Sequence, residues 1–289
     1  MVLEIRVTKH KTKYKRQNRD QLFLILIVMI LVMIGVVSLM APYIAWNDPY
    51  NIDLTNILQS PSKVFPFGTD ALGRCVFSRV LYGAKNTIFS ALIVVAITFT
   101  LGSLIGIVSG YVGGTLDHVV MRIVDIFLAF PGMVLAIAVA GILGGGLMNA
   151  MLAIIAIGWT KYTRIARSYV LEIKEETFIQ AARLSGKGSF YIIMRHIIPN
   201  MLGYMIVTAS LDIGTTMIEM SSLAFLGLSS PLPSPEWGAM MSEGKSMIQF
   251  APWVILGPGV ALVVVVILFN LLGDTIRDLL DEKQKRRAV

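Results

Sequence analysis

The sequence predicts an all-α integral membrane protein with six transmembrane helices and both termini in the cytoplasm. Three observations carry that expectation. Of 289 residues, 55% are hydrophobic and 15% are charged, with a mean hydropathy of +0.73. Soluble domains carry about 25% charged residues. One compact core cannot hide so much apolar side chain, and the bilayer is the natural solvent for the excess. Six apolar stretches recur, at 22–43, 88–110, 121–143, 147–166, 200–226 and 252–273. A helix needs about 20 residues to cross a hydrocarbon core of ~30 Å. Finally, Lys and Arg are unevenly placed. With the N-terminus inside, 20 of the 25 fall on inner segments and 5 on outer ones, the bias that orients membrane helices.

The net charge of +7 does not point to nucleic acid, because the basic residues lie in clusters between apolar stretches. Membrane lipid is the expected surrounding. The single cysteine, Cys75, excludes an internal disulfide framework.

Taken in order, residues 1–20 read as a basic cytoplasmic arm. The first apolar run is about 20 residues long, longer than the 7–15 of a cleaved signal peptide, and reads as an uncleaved anchor. Residues 21–87 then comprise the first transmembrane helix and an extracellular loop. The stretch "FGTDALGRCVFSRVLYGAKNTI" is expected to run into a short interfacial helix. Residues 88–273 form the transmembrane core. In the second span, Gly102 and Gly106 make a small-xxx-small pattern that favours close helix contact, and Gly110, Gly113 and Gly114 end it. The third span holds Asp125 near its start, with Arg122 three residues earlier as the expected ion-pair partner, and Pro131 inside it. The fourth is short in apolar terms and ends in Trp159, Lys161, Tyr162 and Arg164.

Residues 167–199 read as two short cytoplasmic helices. The first repeats apolar residues near a 3.6 period from Val170 to Leu184 and stops at Gly186; the second, "SFYIIMRHII", is ended by Pro199. The fifth span carries Asp212 and Glu219, seven residues apart and so on one helical face. Acids at membrane depth are costly and usually functional. Either Asp212 hydrogen-bonds Ser, Thr or backbone of a neighbouring helix, or this face lines a path and attracts a cation or a peptide ammonium. The last outer segment, "SSPLPSPEWGAM", reads as a stiff loop or a simple turn. Residues 274–289 form a cytoplasmic tail. His10, His118 and His196 form no pair at ligand spacing, and the 16 Met read as packing residues.

From pattern alone, 167–199 is either an ordinary loop on the membrane surface or a docking element whose small residues allow a partner's close approach. Its residues resemble the "EAA" coupling loop of ABC importer permeases: Gln180-Ala181-Ala182, then Gly186, then His196-Ile197-Ile198-Pro199-Asn200. Gln180 stands where that loop usually has Glu. Four further stretches are similar to the dipeptide, oligopeptide and nickel branch of these permeases: "FGTDALGRCVFSRVLYGAKNTI" (with Cys75 in place of Asp), "GYVGGTLDHVVMRIVDIFLAFPGMVLAI", "LAFLGLSSPLPSPEWGAM" and "FNLLGDTIRDLLD". The resemblance, to the C-type subunit of that branch, covers about 210 residues.

The resemblance implies a six-helix permease paired with a second permease subunit. Two cytoplasmic ATP-binding subunits dock below, and an extracellular substrate-binding protein delivers cargo in the cell membrane. It implies that Gln180, Ala181, Ala182, Gly186 and Pro199 serve ATPase coupling, and that the chain is a transport subunit with no enzymatic activity or cofactor of its own. ATP and Mg would be bound by the partner ATPases. Consistently, the sequence contains no Gly-x-x-x-x-Gly-Lys-Ser/Thr loop. Asp212 and Glu219 are the candidate path residues. The "LDIGTTMIEM" stretch resembles nickel-type members, which favours nickel or a nickel chelate, with di- or oligopeptides as the alternative. A membrane-embedded enzyme would need a nucleophile and base at membrane depth, and a channel a charged ring; neither is visible.

Overall fold

A computed structural model describes residues 2–229 and 234–287, with side chains described over 19–229 and 234–280. The described chain is helical, and its one extended feature is an isolated bridge between Thr69 and Cys75. The basic arm and first apolar stretch form a single helix, α1 (Val2–Leu39), followed by the short α2 (Ala41–Ile44). The outer loop contains only a 3-10 turn at Leu54–Asn56, capped by the Asp53 carboxylate on the Thr55 amide. The interfacial helix expected before the second span is absent. Instead α3 (Val76–Val112) runs unbroken through both segments, because no Gly or Pro pair interrupts it before Gly113 turns the chain at φ 71°.

The third apolar stretch is not one straight helix. α4 (Gly114–Leu128) and α5 (Gly132–Leu143) meet at 86° around Pro131. Proline disfavours helix for the residue before it and ends α4 there. The fourth stretch becomes α6 (Leu147–Lys174), and the segment expected in the cytoplasm continues as α7 (Thr177–Leu184) and α8 (Ser189–Ile192). After a π turn at Ile193–Ile197 follow α9 (Ile198–Phe225), α10 (Trp237–Gly244) and α11 (Trp253–Arg287). The tail expected at 274–289 is thus the end of α11. The prolines Pro231 and Pro233 of the last outer loop lie outside the described residues.

Four helical segments are long and apolar enough to cross a bilayer, or five when the bent α4–α5 pair is counted as one span, among the described residues. α6 does not pass on composition, because Lys161, Arg164 and Arg167 interrupt it. It nevertheless lies at the centre, packed along α3 more extensively than any other helix pair. A glycine stripe makes this possible. A Cβ on Gly102 would lie 2.3 Å from the Trp159 carbonyl oxygen, and one on Gly106 2.4 Å from that of Thr163. The small-xxx-small expectation therefore holds, with α6 as the partner.

Three apolar clusters hold the helices together. At the outer end, Val76, Val80, Met217, Trp237, Met240, Val254 and Phe269 join α3, α9, α10 and α11. At mid-depth, Val94, Ala136, Ala140, Met151, Ile154 and Leu223 join α3, α5, α6 and α9. At the inner end, Tyr162, Ala166, Val170, Ile179, Ile192, Ile197 and Met201 tie α6 and α9 to the short helices α7 and α8. By contrast α1 leaves Leu22, Val32 and Met33 well exposed, an apolar surface suited to lipid or to another membrane helix.

Candidate translocation face and coupling loop

The segment expected to serve coupling, 167–199, differs in detail from the two helices expected. The period from Val170 to Leu184 is interrupted after Lys174, where α6 ends and Glu175 and Glu176 lead into α7. Ile179 of α7 is fully buried in the inner cluster, Ala182 packs at its edge, and Gln180 and Ala181 face outward. The Gln180 side-chain amide donates to the Glu175 carbonyl at 3.2 Å. Here it stabilises the start of α7, a role that the usual Glu lacks a donor to play.

Gly186 adopts φ 74° with nothing within 4 Å of a Cβ position, so glycine is needed for the backbone turn and not for space. On either side, Leu184 and Phe190 are 90% and 78% exposed. This outward apolar pair was not singled out from the sequence. A 3.6-period count treats Leu184 as core, whereas the break at 175–176 rotates it out.

Pro199 does not end a helix. It occupies the first turn of α9, where a missing N–H is tolerated, and the π turn just before it widens the backbone where the ring would meet the carbonyl four residues earlier. Ser189–Phe225 thus runs as one long rod, with Pro199 at its base and Gly186 at the turn that precedes it.

The central feature is on α6. Lys161, Arg164 and Arg167 fall at three-residue steps, and each pairs with an acid on another helix. Lys161 Nζ donates to an Asp212 carboxylate oxygen of α9. Arg164 reaches Asp125 of α4 at 2.5 Å. Arg167 binds Asp117 of α4 through two bonds at 2.5 and 2.6 Å, and Ser109 donates to the same carboxylate at 2.5 Å. Asp125 is therefore paired with Arg164, correcting the expected partner Arg122. Asp212 is held by a lysine, not by the Ser, Thr or backbone groups of one of the two alternatives that the sequence leaves open. Sequence spacing reveals i, i+3 neighbours on one helix but not which neighbouring helix supplies a counter-charge.

Glu219, two turns along α9 from Asp212, is partly buried. The exposed side of α6 carries Lys161, Arg164, Ser168 and Glu172. A helix this deep in an apolar bundle cannot turn such a stripe to lipid, where each charge would be strongly disfavoured. It must face water or another polar protein surface.

Where the loop that precedes α3 meets α10, a second cluster is almost fully buried. Asp70 accepts from the Arg74 guanidinium at 2.7 Å, and Arg79 lies 3.5 Å from the same oxygen. Arg74 and Arg79 also reach Glu243 of α10, at 2.6 and 3.3 Å. Two cations and two carboxylates so fasten the outer loop to α3 and α10. Gly73 is required beside them: it sits at φ 74°, and a Cβ would fall 1.8 Å from the Asp53 carbonyl oxygen. Trp253 Nε1 donates to the Thr69 carbonyl at 3.1 Å and Trp237 Nε1 to that of Val80 at 2.9 Å, tying α11 and α10 to the same ledge. The "GTDALGRCVFSR" stretch, quoted from the sequence without a role, supplies most of this cluster.

Residues 102–286 match the family model described as "Binding-protein-dependent transport system inner membrane component". The chain is 44% identical over 259 residues to the probable D,D-dipeptide transport system permease protein DdpC of Escherichia coli strain K12, covering 90% of this chain and 85% of that one. It is 38% identical to the dipeptide transport system permease protein DppC of Alkalihalophilus pseudofirmus, covering 96% and 91%. To the glutathione transport system permease protein GsiD of Escherichia coli O6:K15:H31 it is 37% identical, covering 94% and 89%. Among solved structures, a chain of the MetNI methionine ABC transporter in an inward-facing conformation aligns with a TM-score of 0.57 at 19% identity, covering 69% of this chain and 95% of that one.

Proposed function

The chain belongs to the family of binding-protein-dependent transport system inner membrane components, and from that premise we propose that it is a permease subunit of a peptide importer. It is a multi-pass plasma-membrane protein of an ABC importer and a transport subunit, not an enzyme. On our reading it crosses the membrane six times, with α6 and the bent α4–α5 pair each counted as one span and both termini in the cytoplasm. It pairs with a second permease, so that the charged side of α6 and the Asp212–Glu219 side of α9 line the path between them. Two ATP-binding subunits, which hold ATP and Mg, dock on the loop carrying Gln180, Ala181, Ala182 and Gly186. Pro199 lies at the base of the rod that their closure moves, and an outer binding protein delivers the cargo.

Peptides are favoured over nickel as cargo. The relatives matched along nine-tenths of this chain carry dipeptide and glutathione in their names. The nickel expectation rested on the likeness of the "LDIGTTMIEM" stretch to nickel-type members, and the Asp212 of that stretch is occupied by Lys161. The observation that carries the coupling role is the buried anchorage of α7. Ile179 sits in the inner cluster between α6 and α9, so a push on α7 is delivered to both helices that bear the path charges.

Ala181 is exposed, so Ala181→Arg disturbs no internal contact. In the reconstituted complex it should abolish transport and binding-protein-stimulated ATP hydrolysis while membrane insertion stays normal. Undiminished transport would remove this loop from coupling.

A further inference from the structure

Two charged groups at membrane depth are spaced for the two ends of a small zwitterion. Lys161 reaches from α6 to Asp212, yet its side chain remains 52% exposed, so a ligand in the polar space beside α6 has access to its ammonium. Seven residues along α9, Glu219 returns to the same helical face. It makes no hydrogen bond or ion pair among the described residues, yet lies near enough to feel both charges of the Lys161–Asp212 pair. With Lys161 and Asp212 paired, Glu219 is the one carboxylate of the three groups without a counter-charge in contact among the described residues. A lone acid in such a place is disfavoured until a cation comes alongside.

The spacing narrows the ligand. Seven residues of α-helix rise about 10.5 Å; that is the axial offset of Asp212 and Glu219, and it sets the scale of the gap between the Lys161 ammonium, held at Asp212, and the Glu219 side chain. Two extended residues span about 7 Å, and a charge-assisted contact adds about 2.8 Å at each end. A dipeptide, slightly relaxed from full extension, fills that gap. Glu219 is nearer the outer end of α9, which orients the amino terminus outward and the carboxylate inward.

We propose that Glu219 takes the α-ammonium and Lys161 the terminal carboxylate of a short peptide as it passes, and that Asp212 positions the lysine between passages. This rests on the reading of the chain as a peptide permease and adds the residues that read the two ends of the cargo.

The test uses the complete importer with its binding protein in proteoliposomes. Uptake of a dipeptide is compared with that of its des-amino analogue, in which hydrogen replaces the amine. Each is supplied at saturation of the binding protein, so that protein's own preference drops out. The native complex should move the dipeptide about tenfold faster than the analogue. Glu219→Gln should reduce that ratio to about one, and Glu219→Asp should keep most of it. Lys161→Gln should do the same to the ratio between the dipeptide and its carboxamide.

A native ratio near one would overturn the assignment, and this arm needs no variant to fold. A Glu219→Gln complex that keeps the tenfold ratio would overturn it as well, whether its rates fall or not. A native complex that moves neither peptide nor analogue would overturn the peptide reading itself, a result distinct from both.

Discussion

Arg74 and Arg79 are buried as deeply as core apolar residues, at 2% and 1% exposure, and each has carboxylates beside it. Burying a charge is tolerable only where a counter-charge and further hydrogen bonds replace the lost water. The Asp70 carboxylate meets this demand by also accepting the backbone amides of Leu72 and Arg74, at 2.9 and 3.0 Å. Glu243, 21% exposed, is the one member contributed by a distant element, and so it welds the loop to α10. Glu243→Ala would leave two guanidiniums sharing one acid. Breaking a buried pair costs about 3–5 kcal/mol, so the variant should show a clearly lower unfolding temperature in detergent. An unchanged temperature would mean that the cluster does not hold the ledge. The α6 pairs follow a different logic. Arg164 and Asp125 are both half exposed, so their pairing is worth far less to stability, and their placement matters more for what the polar space beside them attracts.

At the scale of the element, the contact between α3 and α6 decides the fold. Gly102 and Gly106 let backbone meet backbone, and Gly110 continues the stripe towards Val170, whose Cβ would be 3.1 Å from an added Cβ. The benefit is dispersion contact along two long rods; the condition is that no side chain intrudes. Gly106→Leu would push against the Thr163 carbonyl and the Ala166 side chain, at 2.4 and 2.9 Å from its first carbon. Overpacking of this kind costs about 1–3 kcal/mol or more. Separating α6 from α3 would also displace Lys161, Arg164 and Arg167 from their acids. We expect this variant to lose transport together with thermal stability, read by uptake and by detergent unfolding. Wild-type behaviour in both would mean that α3 and α6 do not approach as closely as described.

At the scale of the whole molecule, the proposed topology separates three tasks along the membrane normal: an outer ledge fixed by buried charges, a mid-depth charged face, and an inner loop anchored by Ile179 and Ile192. This predicts a labelling pattern. Cys75 is 2% exposed, so background reaction with a membrane-impermeant thiol reagent should be low. Leu184→Cys should react only from the cytoplasmic side and Val64→Cys only from outside; both positions are well exposed. Reaction of position 184 in intact cells would reverse the proposed topology. The amino-acid sequence by itself determined the solvent, the helical class and the glycine contacts, because these depend on composition, on period and on short motifs that are local in the chain. Only the tertiary structure decided which acid meets which base. Asp125 finds Arg164 and not Arg122, Asp212 finds Lys161, and Glu243 joins Arg74 from 169 residues away. Pairing across helices depends on their rotation and depth relative to one another, and those are set by side-chain packing summed over the whole bundle, which no local pattern encodes.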